Sequence, residues 1–562
     1  MKKINRVILI VFIALLLYSR FAGLNWGLPY PMHPDERNMA VAVQGLGCNV
    51  SNFRECFNPH FYSYGQFPLY LAYLGIQIYH FLFNIKLAVT FEEAVLSLRI
   101  ISATASVINA FFLFKILQLF RSSIPIRYAI SFIVIILSPF FIQFSHFGTT
   151  ESLLMLLYSI ITYLSIRLIL RKGDPNKIIF AGLFLCGLSI AVKMSSLIFI
   201  VMPLAAIILS GKNIGRMIII RRILTVLLGS IFIAIIFSPH NLINFNDFFG
   251  SLNYELDVAT GKYPAFYTRQ FINTLPIYFQ LEKVFPYALG KLVFGFFLCG
   301  FLFLPQKEKS YFMLRLAILV YFLSTAFLYA KWTRFMAPIF PLMLIICILL
   351  LFRIYDRLHK YNKFPSFLFN FAFYLFILAL VAPGIGHLSI YLAPDVRFQA
   401  SKWIYKNIPD KSSILSETAN VVDIPLTDLT EQQQHLYQII SFDFYNLDKE
   451  IYLQQELSFY LSKVDYIFVP SRRIFKNTTC WVKDNLKKID SRCVFLQKQY
   501  PQLNNYYNNL FSGKSYTKVA EFTSYPKIEF FGYKLFEFPD ENAEETWTVF
   551  DHPVIRIYKK NP

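Results

Sequence analysis

Charge is scarce in this chain, and acid scarcer still. Only 16% of the 562 residues are charged, and 34 Asp and Glu stand against 54 Lys and Arg. Soluble globular chains carry about 25% charged residues, so the composition excludes an ordinary soluble domain over most of the length. The common nucleotide and metal motifs are also missing. There is no Gly-rich loop ending in Lys-Ser/Thr, no dinucleotide fingerprint and no His-Glu-x-x-His. No Asp-x-Asp is present to hold a metal-bound nucleotide sugar, so chemistry on a soluble donor is without support. Neither an internal repeat nor a low-complexity tract occurs.

Apolar residues fill the space that charge leaves. They make up 56%, with 61 Phe and 35 Tyr, which suits a lipid-facing surface with aromatic belts. A net charge of +20 would suggest nucleic acid in a soluble protein. Here most membrane-proximal Lys and Arg fall in short loops between apolar runs. That pattern reflects topology and lipid headgroups, with no nucleic-acid partner, although a basic cleft for a phosphorylated substrate is a second use of the charge. Runs near the roughly 20 residues needed to span a bilayer lie near 7–24, 97–118, 128–144, 152–170, 178–192, 196–210, 223–238, 286–304, 311–330, 336–352 and 367–392. The first follows Met1-Lys2-Lys3-Ile4-Asn5-Arg6 and lacks a small-x-small cleavage site, so it reads as an uncleaved span.

The run 67–84 is ambiguous, and charge decides it. With the N-terminus cytoplasmic and 67–84 not spanning, the basic loops at Arg121/Arg127, Arg171/Lys172/Lys177, Lys212/Arg216/Arg221/Arg222, Lys307/Lys309 and Arg353/Arg357/Lys360/Lys363 all fall inside. If 67–84 spans, all fall outside. It is therefore read as a juxtamembrane or re-entrant helix. The expectation is an α-helical polytopic protein of the cell membrane with about eleven transmembrane helices over 1–392. Outer loops 25–96 and 239–285 and a small α/β domain, 393–562, lie on the extracytoplasmic side. In that tail, Ala400–Ile404 reads as helix, and Ser413–Ser416, Tyr466–Val469 and Val554–Tyr558 read as short strands. Four of the seven cysteines fall in the outer segments, where Cys48 with Cys56 and Cys480 with Cys493 are disulfide candidates, or else unpaired structural thiols. The sequons at 49–51 and 477–479 are also outside.

The sharpest local feature is His33-Pro34-Asp35-Glu36, just after the first span. Pro34 fits the first position of a helix running to about Leu46, which puts both acids in its first turn. Acids there complement the helix dipole. A carboxylate at a membrane edge can also serve as a general base. Company on the same rim favours the second use: His60 and Tyr64 in the same loop, Arg99, His146, Glu151, Lys193, His240 and Arg334. Each has a plainer reading, such as snorkelling for Lys193 and Arg334 or a satisfied polar contact for the histidines. Together they place acids, histidines and phosphate-compatible cations at one level, and ionisable groups near membrane depth usually face a cavity.

In this order and spacing the chain resembles the polyprenyl-phosphate-sugar-dependent glycosyltransferases of the GT-C type. These include protein O-mannosyltransferases and the lipid A aminoarabinose transferase. The likeness rests on Asp35-Glu36, Pro68-Leu69-Tyr70, Arg99, the stretch from His146 to Glu151, Lys193 and Arg334-Phe335-Met336-Ala337-Pro338. Phe67-Pro68 stands where Pro-Pro is usual, and Glu151 where Asp is common. The resemblance implies a sugar donor on a polyprenyl phosphate and an acceptor hydroxyl on a glycan, lipid or protein. Asp35 would be the base, with Glu36 beside it, and transfer would invert the anomeric centre. Lys193 and Arg334 would face the leaving phosphate. Glu36, His60, Tyr64, His146, Glu151 and His240 would orient sugar or acceptor, or hold a divalent metal, and His33 and Arg99 would contact substrate. No other cofactor is implied. The alternative is a membrane transporter or a flippase for a lipid-linked glycan, but such proteins often show repeats and midplane polar residues. The charge pattern makes one direct forecast. Single cysteines placed at Lys212 and Ser515 should react with impermeant reagents from opposite sides of the membrane, and labelling from one side would refute the topology.

Overall fold

The computed structural model describes residues 6–48, 54–120, 125–211, 214–361, 365–417, 423–426, 437–480 and 491–562. The sequon 49–51 and the basic-loop residues Lys2, Lys3, Arg121, Lys212 and Lys363 lie outside these. Among the described residues, seven helices are long and apolar enough to cross a membrane: Phe91–Leu119, Glu151–Ile169, Pro175–Val192, Arg216–Phe237, Lys309–Ala326, Thr333–Lys360 and Ser366–Leu392. Two helix pairs are apolar enough only when taken together, and each is bent, as in a broken span or a re-entrant loop. Arg127–Ile136 meets Pro139–Ser145 at 49°, and Gln280–Ala288 meets Lys291–Phe303 at 114°. The first bend has a local cause: Pro139 lacks an N–H for the ladder, and Ser138 ahead of it is extended. Leu9–Phe21 and Met194–Ser210 are shorter apolar helices. The α-helical, polytopic architecture read from the sequence is borne out.

Helix Phe67–Leu82 has 16 residues, about 24 Å at 1.5 Å per residue, short of the roughly 30 Å apolar core of a bilayer. It buries Leu69, Ala72 and Ile76 in a small cluster with Met39 and Val43 of helix Pro34–Gln44 and with Val95 and Leu98. Ser97 donates to the Ala72 carbonyl at 2.9 Å, fixing the helix to Phe91–Leu119.

The C-terminal region is built on a five-stranded sheet. Its strands belong to the set β1 (Ser413–Glu417), β2 (Gln438–Phe442), β3 (Tyr466–Val469), β4 (Tyr516–Phe522), β5 (Lys527–Phe530), β6 (Tyr533–Glu537) and β7 (Ile555–Lys560). The sheet order is β2-β1-β3-β7-β4; β1 pairs in parallel with β2 and β3, and β7 is antiparallel to β3 and β4. Both faces are covered at the centre, which is why the middle strand β3, Tyr-Ile-Phe-Val, is an unbroken apolar run. Ile414, Tyr466, Phe468, Ile555 and Ile557 pack with helix Val396–Asn407 on one face. Leu415, Ile467 and Tyr558 pack with Leu453, Leu457, Leu503 and Tyr507 on the other. The strands β5 and β6 form a separate hairpin. Cys48 is bonded to Cys56, and Cys480 to Cys493. Asn477 of the second sequon is buried and donates its amide to Glu545, so it is no accessible glycosylation acceptor.

The C-terminal domain docks on the helices through a buried polar chain. Tyr391 donates to Asp551 at 2.6 Å and Gln143 donates to the same oxygen at 3.2 Å. His552 bridges Asp551 at 2.6 Å and Asp540 at 2.9 Å. Burial alone would lower the His552 pKa, but the two carboxylates outweigh it and push it from 6.5 up to about 10. For Asp551, burial would raise the pKa, yet His552 holds it down, from 3.8 to about 2. The pair therefore contributes in full between about pH 3.8 and 6.5, and its contribution is lost as pH rises through about 10 or falls through about 2. Removing one partner of such a buried pair costs about 3–5 kcal/mol. Asp551→Asn should lower the thermal unfolding midpoint and flatten its decline between about pH 6.5 and 10. An unchanged pH profile would show that the chain of bonds does not hold the domain.

Candidate active site

The loop after the first helix turns into helix Pro34–Gln44 with Pro34 at its start and His33 as its cap. His33 Nδ1 accepts from the Glu36 amide at 3.4 Å. Burial, then the positive charge of Arg334, pushes the His33 pKa down to about 3, so the ring keeps the lone pair that the cap needs.

Consecutive acids in that first turn point to different partners. Glu36 is buried and takes a two-pronged contact from Arg99, Nε and Nη2 each at 2.7 Å, plus the Gly148 amide at 2.6 Å. The same guanidinium donates to the carbonyls of Leu24 and Trp26 and lies 4.4 Å from the Trp26 ring. A Cβ at Gly148 would sit 2.8 Å from both Glu36 Oε1 and Leu98 Cβ, so only glycine lets the loop close on the pair. Glu36, expected as a second catalytic acid, and Arg99, expected as a substrate contact, are instead paired with each other in the interior. Both of their charges are consumed in tying four segments together.

Asp35 instead faces a cavity of about 290 Å³ whose lining includes Asn38, Tyr64, Glu255, Arg334 and Arg473. Past Asp35 it continues into a narrow recess beside His33, Thr149, Glu151 and Trp547. The Asp35 carboxylate is ion-paired with Arg334. Arg334 packs over Trp332 at 4.8 Å, and its Nε has no hydrogen-bond partner among the described residues. Lys193, at the C-cap of helix Pro175–Val192, lies 3.7 Å from Glu151 and over the rings of Tyr64 at 4.7 Å and Phe335 at 5.7 Å. Residues distant in sequence, Asp35, Tyr64, Glu151, Lys193 and Arg334, thus form one cluster with His33 at its edge.

Three other candidates lie apart. His146 is buried with both ring nitrogens against the carbonyls of Ile142 and Ala22, and it stacks on Tyr391 at 3.8 Å. His240 bonds Asn244 and the Cys56 carbonyl, each at 2.9 Å, fixing the outer loop. His60 is exposed and 3.7 Å from Glu55. The ring nitrogens of His146 and His240 are engaged by the scaffold, and those of His60 face solvent, so none of the three joins the Asp35 cluster. Among the described residues, no three His, Cys, Asp or Glu come together as a metal site.

Sequence reasoning missed the contribution of the last domain. Arg473, Thr546 and Phe550 line the cavity. Glu544 accepts from the Thr333 amide at 3.0 Å and from Gln270 at 2.7 Å, which steadies the turn that carries Arg334. A larger cavity of about 580 Å³ lies within the C-terminal domain and is lined by none of these residues.

Residues 78–243 match the family model for dolichyl-phosphate-mannose-protein mannosyltransferase. Over that stretch the chain is similar to glycosyltransferases of the GT-C type. The resemblance read from the motifs is borne out there, and the matched segment carries Glu151 and Lys193 of the cluster. No curated protein matches the chain. Solved structures similar to this chain include the oligosaccharyltransferase AglB from Archaeoglobus fulgidus with an inhibitory peptide and a dolichol-phosphate. It shows 14% identity and TM-score 0.47, with 82% of this chain and 69% of that one covered. ArnT from Cupriavidus metallidurans bound to undecaprenyl phosphate shows 12% identity and TM-score 0.42, with 71% and 72% covered.

The adjacent acids give a clean contrast. Glu36→Gln and Gly148→Ala should each strip the buried Arg99 pair and cost about 3–5 kcal/mol of stability. Asp35→Asn, at a partly exposed pair, should leave the unfolding midpoint of the purified protein nearly unchanged. Equal midpoints for Glu36→Gln and Asp35→Asn would contradict this division of labour.

Proposed function

We propose that this chain moves a sugar from a polyprenyl-phosphate carrier to an acceptor hydroxyl on the extracytoplasmic face, with inversion, and with Asp35 as the general base. The observation that carries the reading is the Asp35–Arg334 ion pair at the cavity, with Lys193 close by. A base and a phosphate-binding cation are held ready against each other. An arriving phosphate competes for the guanidinium, which binds phosphate oxygens in two-pronged fashion. Asp35 is then released to the acceptor.

The acceptor O–H proton passes to Asp35 while the oxygen attacks the anomeric carbon. The carbon–oxygen bond to phosphate breaks, and its electron pair leaves on the phosphate oxygen. Arg334 and Lys193 neutralise that charge. Tyr64 and Glu151 set the position of Lys193. Glu36, with both oxygens occupied, takes no proton.

Asp35→Asn should cost about 10²–10⁴-fold in turnover with donor binding retained. Lys193→Gln and Arg334→Gln should yield folded protein with a large loss of activity. Arg334→Lys should fall well short of wild type, because the two-pronged geometry is lost. Release of free polyprenyl phosphate from a lipid-linked sugar donor is the assay. A transporter would leave that bond intact, and near-normal turnover in Asp35→Asn would remove Asp35 from the mechanism.

A further inference from the structure

The hairpin β5–β6 turns through Phe531 and Gly532, with φ of 48° and 81°. Two-residue hairpin turns with positive φ at both positions favour Asn-Gly or Gly-Gly. A bulky residue there is unusual, and the fold gains little from this one. Phe531 is 86% exposed, and its ring contact is Phe530 at 4.5 Å. Tyr533 is 77% exposed, Phe530 and Phe536 63% each, and Leu535 56%. Such a contiguous aromatic face on a polar domain marks an interaction site.

The root of the hairpin shows what that face meets. The Lys527 amide donates to Ser389 Oγ at 3.2 Å, and a Cβ on Gly386 would lie 2.9 Å from the Phe538 ring. Ser389 and Gly386 belong to the spanning helix Ser366–Leu392, whose surface is largely unburied, with Phe371, Tyr374 and Leu378 exposed. They sit three and six residues before its end. At 1.5 Å per residue that is about 5 and 9 Å along the axis. A 27-residue helix is about 40 Å long and exceeds the roughly 30 Å apolar core by about 5 Å at each end. The hairpin therefore springs from the level where headgroups give way to acyl chains, the zone occupied by interfacial aromatic side chains.

We propose that the hairpin Lys527–Glu537 is a membrane anchor whose tip, Phe530, Phe531 and Tyr533, inserts into the lipid interface beside helix Ser366–Leu392. The ligand is the bilayer itself. Lys527 pairs with Glu529 at 2.6 Å and Lys534 with Glu537 at 3.0 Å, so the hairpin is neutral and needs no anionic lipid. The inference is independent of the transferase reading, because it concerns how the domain sits on lipid and not what the cavity does.

The full chain with Cys299, the exposed free thiol, replaced by Ser supplies the background. Phe531→Cys carries an environment-sensitive fluorophore in phosphatidylcholine nanodiscs, and Ser515→Cys is the water-exposed control. Blue-shifted emission at Phe531→Cys is expected, with quenching by lipids spin-labelled at shallow acyl positions and several-fold weaker quenching by iodide than at Ser515→Cys. Tyr533→Cys reads the same point if Phe531→Cys misfolds. Iodide access equal to the control would overturn the proposal. So would shielding from iodide without quenching by lipid, since a protein partner would then be covering the face.

Discussion

The buried pair between Arg99 and Glu36 is the constraint on which the rest depends. One guanidinium satisfies the carbonyls of Leu24 and Trp26 and a carboxylate, while that carboxylate also takes the Gly148 amide. The exit of the first helix, the start of helix Pro34–Gln44, helix Phe91–Leu119 and the loop before Glu151 are thereby fixed to one point. A buried charge pair holds only if every remaining donor and acceptor is satisfied, and here the surroundings are built to do that. Asp35 is aimed at the cavity because its neighbour is locked the other way.

The site is made of weaker, exchangeable contacts on this rigid base. Asp35 and Arg334 are each about one-fifth exposed, and Lys193 rests on aromatic faces. Such groups can trade partners when an anion arrives, because the anion takes the place of the carboxylate as counter-charge. The scaffold residues His146 and His240 could not, since their ring nitrogens are already engaged. Rigidity and exchange are thus divided between neighbouring residues along the chain.

How much of this was legible depended on distance along the chain. The spans were readable because lipid demands long apolar runs, and helix Pro34–Gln44 because Pro34 and its acids are local signals. The two acids could not be told apart, since their separation rests on Arg99 and Arg334, 63 and 299 residues away by position number. Lys193 and Arg334 were found as cations at one level, yet the direct contact of Arg334 with Asp35 needed the packed helices. The histidines misled because a polar ring at a helix end looks the same whether it binds a ligand or a carbonyl. β2 and the hairpin were missed because short strands with mixed faces carry little periodicity. The roles of Arg473, Glu544 and Phe550 had no local sign at all.

The cavity is walled by residues more than 500 positions apart, with His33 against Phe550 at 4.3 Å between ring centres. Contacts of such long sequence separation form late in folding. A chain still emerging from synthesis can have its first helices placed, its Arg99–Glu36 pair formed and Asp35 in position, and still have an open cavity. The pocket closes only when Arg473, Thr546 and Phe550 have settled against the helices. Assembly order thereby works as a built-in delay, keeping an unfinished chain from presenting a finished site to the lipids around it.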